Sequence, residues 1–321
     1  MRTQKFRSVI AAALALTMTG FGLLAAEAST PAKVPTAKVV QKLLWSQEFN
    51  AAKGKNVDFK FWRYDLGTGE GGWGNREKQS YVSSAVKTDG AGRLVINAKH
   101  HCTLQPQDGF PLCLDLEQAL EQGDALTHRE FCSDTDTQCQ WTSGRINTRG
   151  KIGFKYGRME ARIQMPAGDG TWPAFWMLGG DLLDGVPWPE CGEIDIMEFR
   201  GDISDRATHA LHGPTTPKGS GLGAAFLSYE PLSSGFHTYA IEWKKDRIDF
   251  IVDGRVNGTF TVADTGRRGW VYNQEFFLIL NLAMGGTYAG EYIDPTLNQA
   301  QLSVDYIRFY SVNGVGKVLK K

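Results

Sequence analysis

Between residues 43 and 310 the chain is written in short runs of β-branched and aromatic residues, apolar and polar by turns, each closed by Gly, Asp, Asn or Pro. A period of two places successive side chains on opposite faces of an extended strand and leaves no stripe for an amphipathic helix to bury. Residues 93–98, 158–163 and 237–243 carry the pattern most plainly, and residues 304–310 supply a last strand. Residues 276–282 form a nearly continuous apolar run of the length of a buried strand. Within residues 248–256, Asp253-Gly254 predicts a hairpin, because this pair readily adopts the positive φ angles of a type I′ turn. Helical periodicity is confined to residues 114–126. Many short strands with frequent turns predict an all-β chain, a sandwich of two packed antiparallel sheets. The 37 Gly, 9 Trp, 10 Tyr and 17 Phe agree with a turn-rich, aromatic-rich member of that class. No internal repeat or second domain is visible. One domain is expected over residues 42–312, after a flexible leader at 29–41 and before a short basic tail at 313–321.

The first residues read as an export signal. Arg2, Lys5 and Arg7 precede an apolar, small-residue stretch over 9–26, and Ala26-Glu27-Ala28 matches a small-x-small cleavage site, giving a signal peptide over 1–28. A membrane anchor is the rival reading, but Thr17, Thr19, Gly20 and Gly22 dilute the stretch and no basic stop-transfer cluster follows. A secreted or periplasmic protein, free of the membrane after cleavage, is expected. Cys102, Cys113, Cys132 and Cys139 lie in one polar stretch and read as two disulfides of an oxidising compartment, with three pairings open. Their wide spacings do not resemble the tight CxxC pairs of zinc sites. Cys191 is left over and reads as a packed free thiol. With 35 Lys and Arg against 35 Asp and Glu, the chain lacks the excess positive charge that nucleic-acid binding needs.

The acidic run Glu193-Ile194-Asp195-Ile196-Met197-Glu198 carries the chemistry. On a strand, Glu193 and Asp195 share one face while Ile194 and Ile196 point into the core, and Glu198 falls on the wrong parity. A bulge near Ile196-Met197 would insert one extra residue and return Glu198 to the acidic face. Glu193 and Glu198 are then about 13 Å apart at Cα, four strand steps. Glutamates leaning together close that to the ~5–5.5 Å between carboxyl groups of retaining glycosidases, more readily than the ~6.5–9.5 Å of inverting ones. Three carboxyl groups on one face cannot all ionise, so their pKa values must separate, which acid/base chemistry requires. A solvated acidic strand and a calcium site are the competing readings; the alternating Ile argues against simple solvation. Trp172 and Trp176, four residues apart, share one strand face with Phe175 on the other, and offer either core aromatics or indoles on which sugar rings stack. Trp73 and Trp188 are further aromatics of this kind, and Asn75 and Arg145 supply amide and guanidinium donors for hydroxyl groups.

The acidic run resembles the signature of glycoside hydrolase family 16 in its longer, bulged ExDxxE form. Accompanying blocks resemble its laminarinase (endo-1,3-β-glucanase) branch, in the same order over residues 43–310. They include Trp45-Ser46-Gln47-Glu48-Phe49, Gly72-Trp73-Gly74-Asn75, Trp172-Pro173-Ala174-Phe175-Trp176, His212-Gly213-Pro214 and Asn281-Leu282-Ala283-Met284-Gly285-Gly286. The resemblance implies a β-jelly-roll sandwich with a concave substrate cleft and a retaining, double-displacement mechanism. Glu193 would be the nucleophile, Glu198 the general acid/base and Asp195 the assisting carboxylate. Trp172, Trp176, Asn75, Arg145, His212, Trp73 and Trp188 would bind substrate. No cofactor is implied for catalysis. A structural Ca2+ on the convex side is implied, with Asp305 as its carboxylate and Glu48 and Gly92 contributing oxygens. The implied partner is a polysaccharide, β-1,3-glucan or mixed-linkage 1,3-1,4-β-glucan, and a monomer is expected. Transglycosylation, attack on agarose or carrageenan, and non-catalytic glucan binding are the alternatives; the last is opposed by the presence of both glutamates. The cysteine-rich insertion at 101–140 departs from the family pattern.

Overall fold

The computed structural model describes residues 39–101, 140–217 and 221–320. The expected disulfide cysteines and most of the helical segment's surrounding insertion, with the signal peptide and leader up to residue 38, lie outside them.

Two sheets pack face to face over one apolar core. The first runs, edge to edge, through Arg255–Thr261, Arg247–Val252, His237–Lys244, Gly157–Gln164, Gln299–Val312, Leu94–His101, Gln140–Ser143 and Gln79–Tyr81, with Gln41–Gln47 and Val86–Thr88 pairing beside this path. The second runs through Leu222–Leu227, Arg206–His212, Glu193–Phe199, Thr171–Gly179, Phe276–Met284, Arg145–Asn147 and Arg63–Tyr64, with Ile152–Lys155 and Lys317–Lys320 beside it. Pairing is antiparallel except where Gln79–Tyr81 runs parallel to Gln140–Ser143. The period of two decides what faces inward: along Gly157–Gln164, Met159, Ala161 and Ile163 are buried in the core while Arg158, Glu160 and Arg162 stand outside. Phe250 and Ile241 of the first sheet and Phe175, Met177 and Ile194 of the second belong to the same core cluster.

The expected hairpin is present. Val252 pairs Arg255 across Asp253 and Gly254, whose φ angles are 46° and 75°. The apolar run extends to Phe276–Met284, all nine residues buried. Three features differ from the sequence reading. Residues 313–320 are more than a basic tail, since Lys317–Lys320 pairs antiparallel with Ile152–Lys155. Gln41, expected at the end of the leader, is already in a strand and pairs Val312. A short helix, Val262–Gly269, stands where no helical period was visible; a capping box between Thr261 and Asp264 starts it, and a break at Gly266 (φ 70°) keeps it too short to show one.

Candidate active site

The outer face of the second sheet carries the acidic run. Across Glu193–Phe199 the pairing register slips against both neighbours: between Phe175 and Trp176 on one side, and between Asp195 and Glu198 on the other. The bulge therefore sits at Ile196-Met197, as the parity of Glu198 requires, and Ile194, Ile196 and Met197 are all fully buried. Register then sets the site in rows. Glu193 stands between His212 and Leu178, Asp195 between Ala210 and Trp176, and Glu198 between Thr208 and Ala174. The last row continues through Asn281 to Arg145. Residues directly opposite in a ladder share a face, so the rows form one continuous polar and aromatic surface.

Each glutamate is held by an indole. Trp188 Nε1 donates to Glu193 Oε2 at 2.7 Å, and Trp172 Nε1 donates to Glu198 Oε1 at 3.0 Å. Asp195, only 3% exposed, lies between them; His212 Nε2 comes within 3.2 Å of its Oδ2, close but not aligned as a hydrogen bond. Burial first, and repulsion from Asp195 second, push Glu193 up to about 8, against which His212 and the Trp188 donor pull it down. Burial and the nearby Glu193 push Glu198 up to about 7, opposed by the Trp172 donor. Burial and Glu198 hold Asp195 well above the usual carboxylate range. Protons on such a set are shared, and its titration belongs to the cluster. Glu193, Asp195 and His212 also bring one donor atom each within 4.8 Å of one another, a spacing compatible with a metal ion; the sequence reading places no metal in catalysis.

The aromatic wall lies on the Arg145 side. Trp172 and Trp176 share the outer face, with Phe175 buried behind them. The Arg145 guanidinium stands over both the Trp73 and the Trp176 rings, at 4.5 and 5.0 Å from their centroids, and donates to Asp65 Oδ2 at 2.9 Å. Trp176 Nε1 donates to Asn281 Oδ1 (2.7 Å), Asn281 Nδ2 to Tyr81 Oη (3.2 Å), and Tyr81 Oη to Glu77 Oε2 (2.9 Å). Gln79 and Asn75 also donate to Glu77, at 2.6 and 3.4 Å, while burial raises this carboxyl group above its usual range. The chain of bonds fixes the plane of the Trp176 indole. Trp188, by contrast, is 49% exposed and stands at the rim beside His212, their rings 5.9 Å apart.

All seven expected substrate residues thus lie on or beside this surface. Sequence reasoning missed Glu77, Tyr81, Asn281, Thr208 and Tyr288. Asn281 left a signal, as the one polar residue in an apolar strand. Tyr288 packs against Trp172 (5.0 Å between centroids, rings tilted by 36°) and shares a 2.5 Å hydrogen bond with Thr208; nothing in its local sequence marks that role. Cys191 is a buried free thiol pushed up to about 12 by burial, inert as expected.

Register also gathers the expected calcium residues. Gln47 opposes Ile307 and Leu94 opposes Val304, bringing Glu48 and Gly92 to either side of Asp305. Both Glu48 carboxylate oxygens are taken by Arg308 (2.9 and 2.7 Å), and Arg162 holds Asp305 Oδ2 at 2.7 Å. The Glu48 carboxylate therefore does not fit as a ligand. A calcium ion here would be left with the other Asp305 oxygen and backbone carbonyls.

Residues 95–308 match the model of glycosyl hydrolases family 16. The chain is 35% identical to the beta-glucanase of Rhodothermus marinus over 284 residues, covering 84% of this chain and 85% of that protein. It resembles the crystal structure of a laminarinase from Flavobacterium sp. UMI-01 at 36% identity and TM-score 0.67, covering 84% of this chain and 100% of that one. For the laminarinase catalytic domain of Thermotoga maritima the values are 33% and 0.70, over 84% and 98% of the two chains. With its jelly-roll sandwich and its acidic bulged strand, the chain is a glycoside hydrolase and belongs to glycosyl hydrolase family 16.

Proposed function

We propose that this protein is an exported, monomeric endo-β-glucanase that hydrolyses β-1,3-glucan, or mixed-linkage 1,3-1,4-β-glucan, with retention of configuration. The observation that carries the reading is the bulge at Ile196-Met197, which sets Glu193 and Glu198 on one face with an indole donor on each. The names of the similar proteins, beta-glucanase and laminarinase, support the substrate class.

The electrostatics suit a double displacement. Asp195 and Glu193 are close neighbours on one strand face, with donor atoms within 4.8 Å, and the charge of Asp195 raises Glu193. The reactive microstate of this set has Asp195 and Glu198 protonated and Glu193 ionised to attack the anomeric carbon; with Glu193 raised to about 8, it is a minor form at neutrality. Glu198, raised to about 7, still holds its proton near neutrality and gives it to the departing glycosidic oxygen as the C–O bond breaks. Forming the glycosyl ester removes the negative charge of Glu193, and with it part of what raised Glu198. Glu198 is then a better-ionised carboxylate that takes a proton from the attacking water, whose oxygen bonds the anomeric carbon and frees Glu193. Trp176, Trp73 and Arg145 offer the flat apolar and guanidinium surface for adjacent sugar rings.

Release of reducing ends from laminarin, lichenan, agarose and carrageenan tests the proposal, with Glu193→Gln as control. Cleavage of laminarin by the parent and its loss in the variant are expected. Full activity in Glu193→Gln sinks the mechanism, activity only on a galactan sinks the substrate class, and transfer to sugar acceptors in place of water points to a transglycosylase.

A further inference from the structure

The bulge leaves a structural debt in the core. Asp195 pairs Ala210 and Glu198 pairs Thr208, so His209 alone faces both Ile196 and Met197. A ladder cannot satisfy two residues with one, and the extra residue's backbone groups are left to find other partners. His209 points into the sandwich, 1% exposed, its ring stacked on Phe250 of the opposite sheet at 5.1 Å and 21°. Its Nδ1 lies 2.7 Å from the carbonyl oxygen of Ile196. A carbonyl only accepts, so Nδ1 carries the hydrogen and Nε2, buried without a partner, is the bare nitrogen.

We propose that His209 is a positioning residue for the hydrolysis: its Nδ1–H holds the bulge carbonyl of Ile196 and so keeps Glu198 on the cleft face. The inference rests on Glu198 being the general acid/base. Were the bulge to iron out, the parity of the strand would turn Glu198 toward the core and Met197 toward the substrate. Within the strand only the cost of burying Glu198 opposes this, since Ile196 and Met197 are both apolar and either can be buried. The side-chain donor on the neighbouring strand adds to this cost, because it meets the Ile196 carbonyl in the bulged register, at 2.7 Å. Burial suits the task. It lowers the imidazole to about 4, so the ring remains neutral and keeps one tautomer while the carboxyl groups on the other face titrate. Phe250 fixes the ring plane and hence the direction of the N–H bond.

The test separates misplaced acid catalysis from general damage. In His209→Phe the ring volume and the stack remain but the donor is gone; in His209→Asn an N–H is restored near the Nδ1 position. Glu198→Ala serves as reference. Two substrates are used: laminarin, whose leaving group needs a proton, and 2,4-dinitrophenyl β-laminaribioside with azide, which needs neither acid nor base. His209→Phe is expected to lose kcat on laminarin by about 10²-fold, the scale of a misplaced catalytic group. With azide present it should release 2,4-dinitrophenolate at close to the parent rate, the same split as Glu198→Ala, and His209→Asn should recover most of the laminarin activity. Equal loss on both substrates, no loss on laminarin, or no recovery in His209→Asn would overturn the inference. If Glu198→Ala itself shows no split, the acid/base assignment falls first. The parent protein gives a check that needs no variant: its nitrogen-15 spectrum should contain a histidine held as the Nδ1–H tautomer from pH 5.5 to 9. An Nε2–H tautomer for His209, or its titration within that range, would equally refute the proposal.

Discussion

Glu193→Gln should abolish catalysis and stabilise the fold, and the stabilisation should depend on pH in a way that identifies its cause. The carboxyl group of Glu193 is carried from an ordinary 4.5 to about 8, mostly by burial and next by Asp195. Below pH 4.5 folded and unfolded chains both hold the proton, and the group costs nothing. Between 4.5 and 8 the unfolded chain releases its proton while the fold retains it, so stability falls as pH rises; above 8 the loss is complete. At about 1.36 kcal/mol per unit, the ceiling is about 5 kcal/mol. Because the group opens to the cleft and shares its burden with Asp195 and Glu198, about 2–3 kcal/mol is the expected gain at pH 8.5. Urea unfolding of parent and variant at pH 4.5 and pH 8.5 measures it, as a rise in midpoint at unchanged slope. A gain at pH 8.5 that shrinks toward zero at pH 4.5 is expected. An equal increment at both values, or a variant less stable than the parent at pH 8.5, would refute the reasoning, because either would mean that Glu193 is not strained by its charge.

Trp172→Phe removes the indole donor that lowers Glu198, so the basic limb of kcat against pH should move upward while kcat falls; an unmoved limb would place that hydrogen bond outside the chemistry. Arg145→Lys keeps a charge but loses the flat guanidinium between Trp73 and Trp176, and KM for laminarin should rise about tenfold with kcat little changed. Thiol titration without reductant should find no reactive cysteine in the folded protein and one, Cys191, after denaturation; more than one would count against pairing of the other four.

What could be read in the sequence is what a two-residue period controls. It placed Met159, Ala161 and Ile163 inward, set Trp172 and Trp176 on one face, and through the misfit of Glu198 located the bulge. Contacts set by long-range register were not legible. Asn281 and Tyr81 meet across a separation of 200 residues, and nothing local to Tyr81 says that its hydroxyl will link Asn281 to Glu77. The parallel pairing of Gln79–Tyr81 with Gln140–Ser143 joins segments on either side of the cysteine-rich insertion, where no hairpin signal exists. Lys317–Lys320 has the lysines of an exposed edge, and its composition reads as tail until its partner strand is known. The arginines on Glu48 and Asp305 are strand neighbours by pairing, so a reading of oxygen ligands alone overlooked them.

The bulged strand matters because it brings a nucleophile and an acid/base to one face, and that arrangement dictates stereochemistry. Proton NMR of laminarin hydrolysis in its first minutes, before mutarotation, reads the anomer released. Initial appearance of the β-anomer, relaxing later to the mixture, is the outcome predicted for Glu193 and Glu198 acting in sequence. Initial appearance of the α-anomer would mean direct displacement by water and would contradict the account.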